Sequence, residues 1–226
     1  MKKIGLFCLV SVCCFFITGC ATQRGWRYQA EPAQEREPLI NKSVAVPPFK
    51  DNRPDKNTNA VMMYLVPLMP YGWCDYSIPE SGNTKLNSTD WQFKPTEDLA
   101  KAAAEELRAS GLFKEVFFTQ RASEGDLVFQ GTINSTRYWG KMYSYCLSVY
   151  GPNLWFLGLP AGTVNNELGV SFKLSDNSAQ DVIWERNASE VYNKTFNLYS
   201  MPSDFTYDIL YKKILLDSLG DLEGKL

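Results

Sequence analysis

Two kinds of side chain in this sequence can form a covalent bond or move a proton: its cysteines and its carboxylates. Six cysteines occur, at positions 8, 13, 14, 20, 74 and 146, and there is no histidine. The missing imidazole removes Ser-His and Cys-His nucleophile pairs, the commonest general base, and His-containing metal sites. Among the carboxylates, Glu105-Glu106 are neighbours within a helical pattern. Adjacent helical residues point about 100° apart, so this pair reads as a solvated face. Asp51, Arg53 and Asp55 form a small charged cluster that reads as a solvated loop. Asp75, Glu80 and Asp90 have the type needed for glycan hydrolysis, but no pair can be placed at the required separation. Gly169-Val170-Ser171 lacks the final glycine of a nucleophile elbow, and no phosphate loop or metal-ligand spacing appears. The residues point to no enzyme, no cofactor and no metal.

Cys20 differs from the other cysteines in its setting. Lys2 and Lys3 precede an uncharged run from Ile4 to Ile17, and Ile17-Thr18-Gly19-Cys20 closes it. A basic start, an apolar core too short to span a bilayer and a small-residue end read as a secretory signal. With cysteine at the cleavage position, the stretch resembles the bacterial lipobox. That resemblance implies diacylglyceryl transfer to the Cys20 sulfur, cleavage before Cys20 and acylation of the new amino terminus. It divides the chain into a signal peptide (1–19), a lipidated and flexible tether (20–42) and a single periplasmic domain (43–226). Ala21, in place of Asp, resembles the outer-membrane sorting pattern.

Without Lys2 and Lys3, the 23 basic residues become 21 against 25 acidic ones, a net charge of −4. A mildly acidic chain without a basic run argues against nucleic acid and against charge attraction to anionic lipid. The membrane partner would be reached through acyl chains. Cys74 and Cys146 are the thiols left over, and in an oxidising compartment a disulfide is their simplest fate. Such a bridge would stabilise by roughly 4 kcal/mol on the chain-entropy view; two buried thiols are the alternative.

The fold class expected from periodicity is α+β, with a mixed, largely antiparallel sheet packed by two main helices. Ser43–Phe49 reads as the first strand, ended by a proline pair. Pro95–Gly111 reads as a helix with Thr96 as cap, Glu97 and Asp98 in its first turn and Gly111 as a left-handed stop. Leu112–Thr119, Leu127–Ile133, Tyr143–Val149, Asn166–Leu174 and Val182–Tyr192 read as strands. Alternation at Leu168, Val170, Phe172 and Leu174 gives one buried face. A last helix starts near Pro202-Ser203-Asp204 and runs to about Gly220, with Tyr207, Leu210, Tyr211, Ile214 and Leu215 inward.

Three segments carry a further resemblance: Ser43–Phe49, the helix end Leu107–Phe113 and Gly125–Ile133. They resemble the TolB amino-terminal-like domains of envelope lipoproteins, among them the CsgG-like secretion channels and the ring protein PelC. The resemblance implies a fold and envelope partners, and no catalytic group. Asn57 to about Lys94 and Met142–Asn166 depart from it.

Those departures contain two uncharged stretches, Asn57–Cys74 and Met142–Asn166. Their prolines and glycines exclude a spanning helix. Packing against the sheet, a contact surface for a partner or a second copy, and a loop tip in lipid remain open. Tyr71, Trp73, Tyr150, Trp155 and Phe156 are the candidate contact residues. The expectation is a non-catalytic outer-membrane lipoprotein facing the periplasm, an assembly or secretion component that contacts an envelope protein or itself. A monomeric module for an envelope enzyme or a glycan is the alternative, and a glycan-processing enzyme a distant third.

Overall fold

A computed structural model describes residues 24–34, 36–78, 80, 91–179, 181–201 and 206–225. The signal segment, Cys20 and Pro202-Ser203-Asp204 lie outside the described residues. The strands are β1 (Arg24–Gly25), β2 (Ile40–Val46), β3 (Lys50–Asp51), β4 (Lys56–Ala60), β5 (Tyr71–Ser77), β6 (Trp91–Gln92), β7 (Phe113–Phe118), β8 (Leu127–Ser135), β9 (Tyr138–Tyr143), β10 (Gly162–Asp176) and β11 (Val182–Phe196). The helices are α1 (Pro95–Ala109), α2 (Pro152–Phe156) and α3 (Tyr207–Glu223).

The hairpin of β10 and β11 is the spine. β11 pairs antiparallel with β10 from Gly162 to Ser175. The other edge of β10 is shared: β8 takes Gly169–Asp176 and β9 takes Gly162–Asn166. Two half-sheets diverge from that edge. Beyond β8 lie β2 and then β7, both parallel; beyond β9 lie β5 and β4, antiparallel. The fold class is therefore the expected α+β arrangement.

The first half-sheet holds the core. Parallel β2 and β7 need a crossover, and α1 supplies it. Leu168, Val170, Phe172 and Leu174 are fully buried on one face of β10, as their alternation implies. Phe172 packs edge-on to Phe49 (centroids 6.1 Å) and tilted to Phe129 (5.3 Å). Tyr207, Leu210, Tyr211, Ile214 and Leu215 of α3 close the core, and the Tyr211 hydroxyl donates to the Leu99 carbonyl of α1 at 2.8 Å. Position 131 must be glycine, because a Cβ there would lie 2.5 Å from the Phe49 ring.

Several expectations need correction. The cap of α1 is not Thr96: Asp98 accepts the Lys94 N–H (2.7 Å), and Glu80 accepts the Thr96 N–H (3.1 Å) and hydroxyl (2.8 Å). The stop is as expected, with Gly111 at φ +65°. The span 143–149 is not a strand; β9 ends at Tyr143, and Tyr145, Cys146 and Ser148 have positive φ, which breaks any ladder. The Lys50–Asn59 segment is not simply a solvated loop. Arg53, 5% exposed in its side chain, makes a two-point pair with Asp51 and donates to Thr136 Oγ1.

Residues 26–34 and 36–40 of the expected tether lie along the domain rather than free of it. Trp26 and Tyr28 pack against the core. Gln34 N–H reaches the Ala109 carbonyl, and Ile40 N–H the Leu112 carbonyl. Beneath this strap Glu106 is 1% exposed, so Glu105-Glu106 is not a solvated pair. The Glu106 carboxylate accepts from the Tyr28 hydroxyl at 2.6 Å and from the Glu31 N–H at 3.3 Å. Burial, then the Glu106 hydrogen bond and charge, push the Tyr28 phenol far above its ordinary pKa. Aromatic packing at Trp26 and Tyr28 outweighed the polar composition that suggested a free stalk.

Candidate functional site: a helix-free sheet face and an uncharged end

Among the described residues, the second half-sheet's own strands, β4 and β5, carry no α-helix; only the single turn over Val61–Leu65 packs on β5, beside Gly72. Register places Asp75, Trp139, Asn165 and Asn193 in one row across β5, β9, β10 and β11. Trp73, Lys141, Thr163 and Thr195 form the next. Val164, on the alternate face of β10, is buried. An open groove of about 720 Å³ lies over these rows, lined by Tyr71, Trp73, Asp75, Trp139, Lys141 and Asn165 among others.

The groove residues are held by one another. Arg137 grips Asp75 at two points, 2.8 and 2.9 Å, and its guanidinium lies 4.6 Å from the Trp139 ring centroid. Lys141 lies 4.4 Å from the Tyr71 ring, which meets Trp73 edge-on at 6.3 Å. The Arg137 hydrogen bonds hold the Asp75 carboxyl down to a pKa of about 2, against partial desolvation and with help from Lys56. This arrangement offers flat rings, a fixed charge pair and the Asn165 amide, suited to contact and hydrogen bonding. Among the described residues, no cluster of three or more His, Cys, Asp or Glu is placed to hold a metal.

At the end of this half-sheet the uncharged stretches meet. The turn over Val61–Leu65, residues 66–70, residues 144–161 and residues 197–201 come together there. Ser144 and Tyr145 donate through their N–H groups to the Pro70 carbonyl, and Ser148 through its hydroxyl to the Leu65 carbonyl. Tyr145 OH reaches the Pro160 carbonyl at 2.6 Å, and Tyr199 OH that of Phe156 at 3.3 Å. Of seventeen exposed large apolar side chains among the described residues, eleven belong to these segments.

The five candidate contact residues divide among three environments. Tyr71 and Trp73 are half-buried in the groove. Tyr150 and Phe156 are exposed at the end. Trp155 is buried, donating Nε1–H to the Tyr143 carbonyl at 3.0 Å and tilted against Tyr64. It is a packing residue of the end, which corrects its place on the surface. Trp155 and Phe156 are adjacent in α2, where neighbouring side chains point about 100° apart, so one packs inward and the other faces out.

The expected disulfide is not formed; Cys74 is a half-buried free thiol and Cys146 an exposed one. Tyr71 pairs with Tyr143, and Tyr145 follows at Pro70, so Cys146 stands past the start of β5. Cys74 is about four strand residues away from it, roughly 13 Å, beyond the reach of a bridge. Burial raises the Cys74 pKa. Sequence reasoning missed Asp75, Arg137, Trp139 and Lys141 as a group. Their alternation at 137, 139 and 141 was the available signal for one face of a strand.

No family model matches the chain, and no curated protein matches it in sequence. Among solved structures, a DUF330-family protein from Xanthomonas campestris is similar over 90% of this chain and 96% of its own, with a TM-score of 0.50 at 11% identity. A PelC dodecamer from Paraburkholderia phytofirmans aligns over 84% of this chain and 94% of that one, with a TM-score of 0.35 at 19% identity. A Helicobacter pylori protein described as a homolog of neuraminyllactose-binding hemagglutinin aligns over 88% and 89%, with a TM-score of 0.37 at 10% identity. The first of these likenesses is one of fold; the other two are looser.

Proposed function

We propose that this chain is a non-catalytic lipoprotein on the periplasmic face of the outer membrane, acting by contact as an assembly or secretion component of the envelope. The anchor is Cys20, and the partner-binding surface is the helix-free face with Tyr71, Trp73 and Trp139. The observation that carries the reading is that this face is aromatic and, among the described residues, uncovered. Aromatic and arginine side chains on an uncovered face are the composition of contact surfaces. The succession β2, α1, β7, β8, β10, β11, α3, with β3 to β6 inserted before α1 and β9 and α2 inserted before β10, supports the TolB amino-terminal-like resemblance.

The test is the mass of the protein in solution by light scattering, with and without Trp73→Ala. A discrete oligomer that Trp73→Ala disperses without unfolding would make a second copy the partner. A monomer in both forms, with a single crosslinked species in cells from a photoreactive group at position 73, would make it another envelope protein. A monomer without any crosslink would remove the reading. A glycan-binding module is the second reading, favoured by the Asp75–Arg137 pair and the Asn165 amide beside Trp139. Quenching of tryptophan fluorescence by periplasmic oligosaccharides, lost in Trp139→Ala, would support it.

A further inference from the structure

We propose that the uncharged end is a membrane contact, seated in the interfacial layer of the bilayer that holds the acyl chains of Cys20. This rests on the lipoprotein reading for its anchor and commits the end to lipid rather than to a protein.

The first ground is what the end displays. Leu68 is 82% exposed, Leu157 75% and Tyr150 71%, and residues 57–74, 142–166 and 195–203 carry no charge. Apolar and tyrosine side chains without acidic neighbours suit the headgroup boundary. Leu68 is also held at φ 68°, where a branched side chain is disfavoured and Asn, Asp or Gly would be easier. Neither packing nor backbone preference accounts for a leucine there, and contact with an apolar medium does.

The second ground is the backbone. Irregular chain enters a membrane boundary at great cost unless its polar groups are satisfied internally. Here Tyr150, Gly151, Leu154, Leu157, Gly158 and Leu159 donate their N–H groups to carbonyls of Leu147, Ser148, Gly151, Leu154, Trp155 and Leu154 respectively. The exposed side chains thus stand on turns that already close their own hydrogen bonds, over the buried Trp155 ring.

The third ground is where the chain comes from. Arg36 lies at the far ends of the helices, paired with Glu223, whereas Trp26 lies by Phe93, which stacks on Tyr207 at the start of α3. Thr206, just before that start, is hydrogen-bonded to Asn166 of β10. Between Arg36 and Trp26 the chain thus moves from the far ends of the helices toward the uncharged end. Cys20 is four residues before Arg24, a span of at most about 14 Å. β10 takes four residues from Asn166 to Gly162 at the base of the end, again about 14 Å. The anchor and the uncharged end can therefore meet one bilayer surface.

The native Cys146 gives a direct readout. The full lipoprotein with Cys74→Ala is labelled at Cys146 with an environment-sensitive nitrobenzoxadiazole dye and reconstituted into phosphatidylethanolamine–phosphatidylglycerol vesicles. A control carries Asn187→Cys with Cys146→Ser, labelled on β11 away from the end. The expected result is a blue shift and quenching by shallow doxyl lipids at position 146 alone, lost in Leu68→Asp/Leu157→Asp. Equal water exposure at 146 and 187 in acylated protein would overturn the proposal. A concentration-dependent blue shift without vesicles would overturn it in favour of a second copy. Mass spectrometry of Cys20 separates the two readings. If Cys20 is unmodified, the anchor reading fails, and flotation with vesicles then decides. Flotation abolished by Leu68→Asp/Leu157→Asp would sustain lipid contact, and no flotation would end it.

Discussion

The two half-sheets share β10 and β11 and use them in opposite ways. Toward Asp176, the strands bury Leu168, Val170, Phe172 and Leu174 beneath α1 and α3. Toward Gly162, β10 carries Asn165 into a face that it shares with Trp73 of β5 and Trp139 and Lys141 of β9, free of α-helix among the described residues, and this half ends in exposed apolar turns. Of the two, only the first half has an interior of ordinary size. The second is held by close backbone approach, cross-strand rings and the ion pairs of Asp75 with Arg137 and Lys56. A fold that concentrates its stability in one half leaves the other free to be selected for what it touches.

The widest gap between the halves is in the cost of truncation. Phe172 is fully buried between Phe49, Phe129 and Tyr211, so Phe172→Ala should lose about 3–5 kcal/mol of stability. Leu157→Ala at the exposed end should stay within about 0.5 kcal/mol. Urea unfolding of both variants checks this. Comparable losses would mean that Leu157 is covered in solution and the halves are alike.

Backbone closeness is the second half's own point of failure. A Cβ on Gly72 would stand 1.8 Å from the Val61 carbonyl oxygen, where β5 passes the turn over Val61–Leu65. Gly72→Ala should therefore cost about 1–3 kcal/mol or more. Hydrogen exchange should locate the loss in residues 61–77 and 138–143, with α1 and α3 still protected. Uniform loss of protection would show that the halves unfold together.

The strap sharpens the contrast from the other side, since it adds to the first half only. Tyr28→Phe removes the 2.6 Å hydrogen bond to buried Glu106 and should cost about 1–3 kcal/mol. Exchange at residues 26–36 should quicken, while fluorescence from the groove tryptophans stays unchanged. An unaltered strap would mean that the Trp26 and Tyr28 rings hold it without the carboxylate.

What the sequence made legible follows the same division. The first half was readable because period is enforced by burial: α1, β7, β8 and α3 all have one face in the core, and Leu168 to Leu174 alternate without exception. The strap was not readable, since its two half-buried rings sit among Gln, Glu and Pro whose composition alone suggests a free chain. The groove was hidden for another reason. Asp75 and Arg137 are distant in sequence and adjacent only through register, and neither residue type is rare on a solvated strand. Cys74 and Cys146 show the reverse error, in which two thiols left over by elimination were paired without the register that keeps them apart.

The smallest effect expected is electrostatic and belongs to the groove. Asp75 is held at a pKa of about 2, below its unfolded value near 3.8, because Arg137 grips the ionised carboxylate. A depressed carboxyl stabilises the native state at pH values above the unfolded value and loses that contribution as pH falls toward the folded one. Asp75→Asn should therefore be less stable than the parent by about 1 kcal/mol at neutral pH, the scale of a partly exposed pair. The deficit should shrink between about pH 4 and pH 2, where the parent takes up the proton that the variant cannot bind. Unfolding curves of both proteins across that interval decide it. A deficit that stays constant would assign Asp75 to shape and hydrogen bonding rather than charge, and would leave the groove's order to its rings.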